Sequence, residues 1–203
     1  MSRQLTFAVV ADGKTDRLLV PIIEWAIHRL DPEVEILEPE FRRRSGSVAE
    51  FLNAYDSSAM LIFVHRDAEN RLLDDRLTEF ESVSRIDVVP VIPVRMSEAW
   101  ILFDESAIAR AAGSPSAKVS APRLSEIEGI ADPKDLLERL LFEAAGSPSG
   151  RRGKVFRRSL VERRVSVAGH IGDFRPLESL RAFQRFQSAL AERYPYSANL
   201  QQP

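Results

Sequence analysis

The stretch Leu5-Thr6-Phe7-Ala8-Val9-Val10-Ala11-Asp12-Gly13-Lys14-Thr15-Asp16 decides the fold. Its short run of Val, Phe and Ala has the form of a buried parallel strand. The run ends in a carboxylate and then a glycine, which lets the backbone turn sharply into a helix. Residues 15–30 carry Leu18, Leu19, Ile22, Ile23, Ala26, Ile27 and Leu30, the three-and-four spacing of an amphipathic helix. Thr15 or Asp12 can cap it. Pro21 is tolerated only near its first turn, and Asp31-Pro32 stops it.

Working outward, residues 33–39 read as a second strand, near an edge because of Pro39. Arg42, Arg43 and Arg44 follow in a loop, and Ser47 can cap a helix over 48–56. The most apolar run, 60–64, predicts a central strand, followed by helical residues 71–83 and a proline-bearing fourth strand over 86–94. Strand–helix alternation of this kind implies an α/β fold, Rossmann-like, with a mostly parallel four-stranded sheet and flanking helices. Ligands bind such sheets at the carboxyl ends of the strands. Asp12, His65, Asp67, Glu69 and Arg95 all fall on that edge.

Residues 1–96 form this α/β core, and residues 97–203 a helical C-terminal extension packed on it. Within the extension, Ser97 can cap a helix over 98–103, and 105–112 continue helical. The Gly-, Ser- and Pro-rich residues 113–132 read as a loop or insertion, and 146–153 as a flexible linker. Helices are expected over 133–145 and 176–193, with a frayed tail after Pro195.

The composition is that of an ordinary soluble globular protein, with 44% hydrophobic residues and a net charge of −2. That charge carries no global signature of nucleic-acid binding. The chain has no cysteine, which excludes disulfides, thiolate nucleophiles and thiolate metal sites. There is no leader pattern and no apolar run approaching about 18 residues, so the expectation is a cytoplasmic protein without a membrane span.

Alone, Asp12 reads as a helix cap or as a ligand. Asp67 and Glu69 are two apart, so on an extended segment they point the same way, as a solvated loop or as a ligand pair. Carboxylates from two strand ends that meet on one edge repel each other unless a cation offsets them. Hard oxygen donors favour Mg²⁺ or Mn²⁺ over zinc. The second group also admits the register His65-x-Asp67. Glu98 serves either its own helix N-terminus or this edge as a further carboxylate. Arg95 and Lys14 can hold a phosphate. Arg151, Arg152 and Lys154 open a basic segment with Arg157, Arg158, Arg163 and Arg164 against Glu162; it is a solvated helix face or a contact to a phosphate backbone. No Walker loop, dinucleotide fingerprint or Ser-His-Asp set is present.

Asp12-Gly13-Lys14-Thr15-Asp16 resembles the Glu-Gly-x-Thr-Glu/Asp signature that opens a Toprim domain, and Asp67-Ala68-Glu69 resembles its Asp-x-Asp signature. With Ser97-Glu98-Ala99-Trp100-Ile101-Leu102 and the later Asp-Pro-Lys-x-Leu-Leu-Glu pattern, most of the chain is similar to one of the uncharacterised Toprim-like families of bacterial proteins. The resemblance implies a Mg²⁺-dependent protein acting on phosphodiester bonds of nucleic acid, as nucleases of phage defence do. By that likeness Asp12 is the acid/base or metal-binding carboxylate, and Asp67 and Glu69 hold the metal. Position 12 is Asp where the family has Glu, and the second motif is Asp-x-Glu. Both departures keep a second expectation open, a non-catalytic binding or regulatory subunit working with a partner protein such as an ATPase.

Overall fold

The computed structural model describes residues 3–83 and 85–195; the tail after Pro195 lies outside the described residues. Strand β1 spans Arg3–Leu5 and β2 spans Phe7–Ala11. A 3₁₀ turn over Lys14–Leu18 leads into helix α1, Leu19–Leu30. Pro21 falls in the first turn of α1, where a missing N–H costs nothing. Strands β3 (Val34–Ile36) and β4 (Glu40–Arg43) follow, then α2 (Val48–Ala54), β5 (Leu61–His65), α3 (Leu73–Leu77) and β6 (Val88–Val91).

The main sheet is wholly parallel, in the order β4-β2-β5-β6. A second parallel pair joins β1 to β3. The second strand expected over 33–39 is therefore divided. Its first half pairs with β1, Pro39 interrupts the ladder because it has no N–H to donate, and the chain then pairs with β2. Arg42 and Arg43, expected in a loop, lie in edge strand β4, where side chains reach water. Arg44 continues the ladder, its amide donating to the Ala11 carbonyl at 2.8 Å.

Alternation along the strands sorts the core onto two faces. Phe7, Val9, Leu61, Phe63, Val89 and Val91 belong to a large apolar core that also takes in the helices of the second half. Val10, Ile62, Val64 and Val88 form a smaller one with Val48 and Leu52 of α2. Ser47 caps α2 in a capping box with Glu50.

The second half holds α4 (Glu105–Ala111), α5 (Leu124–Ile127), α6 (Pro133–Ala144), α7 (Gly150–Arg158), α8 (Leu160–His170) and α9 (Arg181–Arg193). Part of the expected linker is thus helical: α7 begins at Gly150. Buried Gly153 lets α7 approach the Pro148 carbonyl, since a Cβ there would lie 2.4 Å from that oxygen. The final helix starts later than its apolar pattern suggests, after a 3₁₀ turn over Arg175–Ser179. An aromatic cluster ties it to the sheet, with the Phe63 and Phe186 ring centroids 6.2 Å apart and Trp100 and Phe183 5.2 Å apart. Buried Asp31, just past α1, pairs with Arg3 and accepts the Tyr194 hydroxyl at 3.0 Å. Among the described residues no helix is long and apolar enough to cross a membrane.

Candidate functional site

The carboxyl edge of the sheet gathers ionisable groups, and strand parity divides them between its two faces. His65 continues the alternation of Leu61 and Phe63, so its ring enters the large-core face, where it is almost fully buried. Asp67, two residues on, keeps that side. His65 Nε2 lies 2.9 Å from Asp67 Oδ1. Its Nδ1 stands 3.4 Å from Asp16 Oδ2, an ion-pair approach without a formed hydrogen bond. Asp16 comes from the 3₁₀ turn after β2 and also accepts the Gly13 amide at 2.9 Å. That bond reaches back to the residue before the turn. Gly13 itself is extended (φ −133°) and has room for a Cβ, so the expected glycine hinge is not needed.

The third strand end adds Ser97 and Glu98. Both are buried in a 3₁₀ turn over Ser97–Ile101 whose cap is Met96. The Ser97 hydroxyl is therefore free of the capping task expected of it. Its Oγ lies 3.3 Å from Asp16 Oδ1 and 3.5 Å from Glu98 Oε2. Arg164 of α8 donates to Glu98 Oε1 at 3.0 Å and lies 3.4 Å from Glu138 Oε1. The carboxyl ends of β2, β5 and β6 thus converge with one helix of the second half, α8.

The charges depart from their solution behaviour. Burial opposes a charged His65, but the carboxylates of Asp16 and Asp67 outweigh it and push its pKa up to about 10. Burial likewise works against ionised Asp16, yet the nearby His65 ring and its charge, with the Gly13 amide, bring its pKa below the ordinary value. Glu98 moves the other way: burial first, then the like charges of Asp67 and Asp16, raise it despite Arg164. Asp16, Asp67, Glu98 and Glu138 face two cations, His65 and Arg164, so negative charge is in excess. Asp67 is the solvent-side member, 29% exposed. Asp16, Asp67 and Glu98 are the hard oxygen donors suited to a divalent cation. As their side chains stand, no group of three His, Asp or Glu among the described residues closes around a single point.

The other expected residues lie elsewhere. Asp12 has the parity of Val10 and is 47% exposed; it pairs with Arg44, and with Arg66 at 2.9 Å. Glu69 pairs with Arg76 at 3.0 Å. Arg95 is clipped to the Glu69–Asn70 turn, donating to the Glu69 carbonyl at 3.1 Å and to Asn70 Oδ1, while the Glu69 amide donates to the Arg95 carbonyl at 3.0 Å. Both Glu69 and Arg95 are left-handed, with φ 53° and 69°. Lys14 is exposed on the first turn. Arg151, Arg152 and Lys154 are exposed on α7. The two arginines line an open cleft of about 600 Å³ with Phe156 and Arg163. Asp67 and Glu98 are therefore brought together, and Asp12 and Glu69 are not part of that group. Asp16, Ser97 and Arg164 went unrecognised in the sequence. Asp16 stands four residues beyond Asp12, past extended Gly13, and the His65-x-Asp67 spacing was the legible signal of the second group.

Comparison with protein-family models, with curated proteins and with solved structures finds no match to this chain.

Proposed function

We propose that this chain is a Toprim-like, Mg²⁺- or Mn²⁺-dependent protein that cleaves or transfers phosphodiesters of nucleic acid. One observation carries the reading. Three carboxylates from three strand ends, Asp16, Asp67 and Glu98, share one buried corner with negative charge left over. Asp16 takes the place in that group expected of Asp12.

A divalent cation held by these carboxylates would supply positive charge to the phosphate and a more acidic bound water. The chain's own groups divide the remaining work. His65, charged across the neutral range, fixes the orientation of Asp67 and draws in Asp16. Glu98, anchored by Arg164, accepts from Ser97 Oγ and holds that wall of the corner in place. Asp67 is the member open to an incoming substrate. Lys14, Arg95 and the cleft of Arg151 and Arg152 offer positive charge to a polynucleotide backbone, with Lys154 beside them.

A second reading has its own support. His65 already acts as an internal counter-ion between Asp16 and Asp67, so their mutual repulsion is offset in part without a metal. That suits a binding or regulatory subunit working with a partner protein.

The test is a nuclease assay on DNA and RNA with Mg²⁺ or Mn²⁺, comparing the wild type with Asp67→Ala, alongside metal-dependent thermal shifts. Metal-dependent cleavage lost in the variant is the expected result. Absence of both cleavage and any metal-dependent shift overturns the enzymatic reading and leaves the second.

A further inference from the structure

The opposite face of the same edge carries a different chemistry. Beside α2 lies an open cleft of about 440 Å³ whose wall includes four arginines, Arg44, Arg66, Arg71 and Arg76, and one carboxylate, Glu79. Three adjacent strands build it. Arg44 follows β4, Asp12 follows β2 and Arg66 follows β5, each with the parity of the strand face that α2 covers.

The acids here act as struts. Asp12 joins Arg44 and Arg66 from the side. Glu79 receives Arg66 Nε at 2.9 Å and Arg76 Nη1 at 2.6 Å. Arg44 and Arg76 are almost fully buried, and each leaves its Nε–H without a partner. Such donors are costly to bury, and with Glu69 also on Arg76 at 3.0 Å the four arginines outnumber the three acids Asp12, Glu69 and Glu79 by one. Arg71 stands at the mouth, 63% exposed, with only a loose approach of 3.9 Å to Glu79. Held guanidinium groups in excess of carboxylates, around a space of ligand size, match the planar donor geometry that phosphate recognition uses.

We propose that this cleft is a phosphate-binding site, with Arg66 and Arg71 as its contacting donors and Asp12 and Glu79 as the residues that position them. The inference deepens the reading above, which supplies a polynucleotide as one source of the phosphate. The phosphate contact itself needs no activity at Asp67.

The test titrates the full chain without divalent ions, first with inorganic phosphate and then with a fluorescein-labelled oligonucleotide of about 12 nucleotides at low salt, where phosphate contacts are strongest. Wild type and Asp67→Asn should bind phosphate equally. Arg71→Ala, a change at an exposed side chain, should weaken binding about tenfold, the worth of one charge-assisted hydrogen bond. Arg66→Gln should do at least as much, with circular dichroism reporting that the fold is kept. If the oligonucleotide loses affinity in parallel and phosphate competes with it, the source is a polynucleotide. If only inorganic phosphate responds, the source is a small phosphate ester. No saturable phosphate binding, or the same affinity in Arg71→Ala as in the wild type, overturns the proposal. Because Asp67→Asn removes cleavage and not phosphate binding, failure of the enzymatic reading and failure of this one give different results.

Discussion

Asp16 and Ser97 are 81 positions apart in the chain, and their side chains meet at 3.3 Å in a buried corner. The contact joins the first βα turn to the turn after the last strand, with His65 on one side and Glu98 on the other. Ser97→Ala leaves Asp16 with the Gly13 amide and the His65 ring alone. It should cost about 1 kcal/mol in urea denaturation, the worth of one ordinary hydrogen bond.

His65 makes stability depend on pH in a defined direction. Its folded pKa of about 10 lies above the ordinary histidine value of 6.5. The folded state therefore binds the extra proton, and the stabilisation is complete below about 6.5. It fades as pH rises from there through about 10. His65→Gln should lose about 3 kcal/mol at pH 7, because Asp16 and Asp67 are left without their counter-charge. The stability difference between wild type and variant, followed by urea denaturation from pH 6 to 10.5, should shrink as pH rises. A constant difference would mean that the ring is neutral in the fold.

Glu98 gives the other half of the titration. Its folded pKa is raised, so its protonated form favours folding, and that advantage is lost as pH climbs past the ordinary glutamate value of about 4.5 through the folded one. Glu98→Gln has no such term. Relative to wild type, the variant should gain stability between pH 4 and neutrality, whatever offset the loss of the Arg164 ion pair adds. Thermal melts at matched ionic strength read this slope.

Two glycines should differ in their response to alanine. A Cβ at Gly153 would lie 2.4 Å from the Pro148 carbonyl oxygen, so helix α7 or the preceding turn must move. Gly153→Ala should cost about 2 kcal/mol, as overpacking does, despite alanine's better helix propensity. Gly13 is extended, and its nearest obstacle is Asp16 Oδ2 at 3.6 Å. Gly13→Ala should change stability by less than about 1 kcal/mol. Chemical denaturation of both variants checks the pair.

The Tyr194 hydroxyl bonds buried Asp31 at 3.0 Å, fastening the end of α9 to the end of α1. Tyr194→Phe should cost about 1 kcal/mol. Asp31→Ala should cost more, about 2 kcal/mol, since it also removes the ion pair with Arg3. Neither should alter the titration of His65 by NMR.

The strands were legible because β2, β5 and β6 are short apolar runs and a fully buried parallel strand has no other way to read. The first crossover was not, because Pro39 splits a continuous segment into two pairings and charged Arg42 and Arg43 hide an edge strand. Helix α7 was hidden by its composition: Gly, Ser and Pro marked a linker, whereas contacts with Phe142 and Arg163 hold Phe156 in place. Asp67 and Glu98 were read as candidates from their places at strand ends, and the structure brings both to one corner with Asp16 and Ser97. Asp12 and Asp16 compete for the same role, and which of them turns inward depends on the 3₁₀ turn after β2. No residue spacing in the chain announces that turn. Arg164 was read with its basic neighbours as part of a charged surface, although tertiary packing buries it against Glu98.

The dependence of Glu98 on Arg164, and of Phe63 on Phe186, has a consequence for the order in which the protein is made. A nascent chain that has emerged only through β6 and the next turn already carries Asp16, His65, Asp67 and Glu98. It lacks the arginine that offsets Glu98 and the aromatic rings that keep water off the sheet. Its carboxylates repel, and its apolar face is wet. The corner is therefore completed only when nearly the whole chain has left the ribosome, so a prematurely terminated product bears the strand-end acids of the site without the arginine and rings that enclose them.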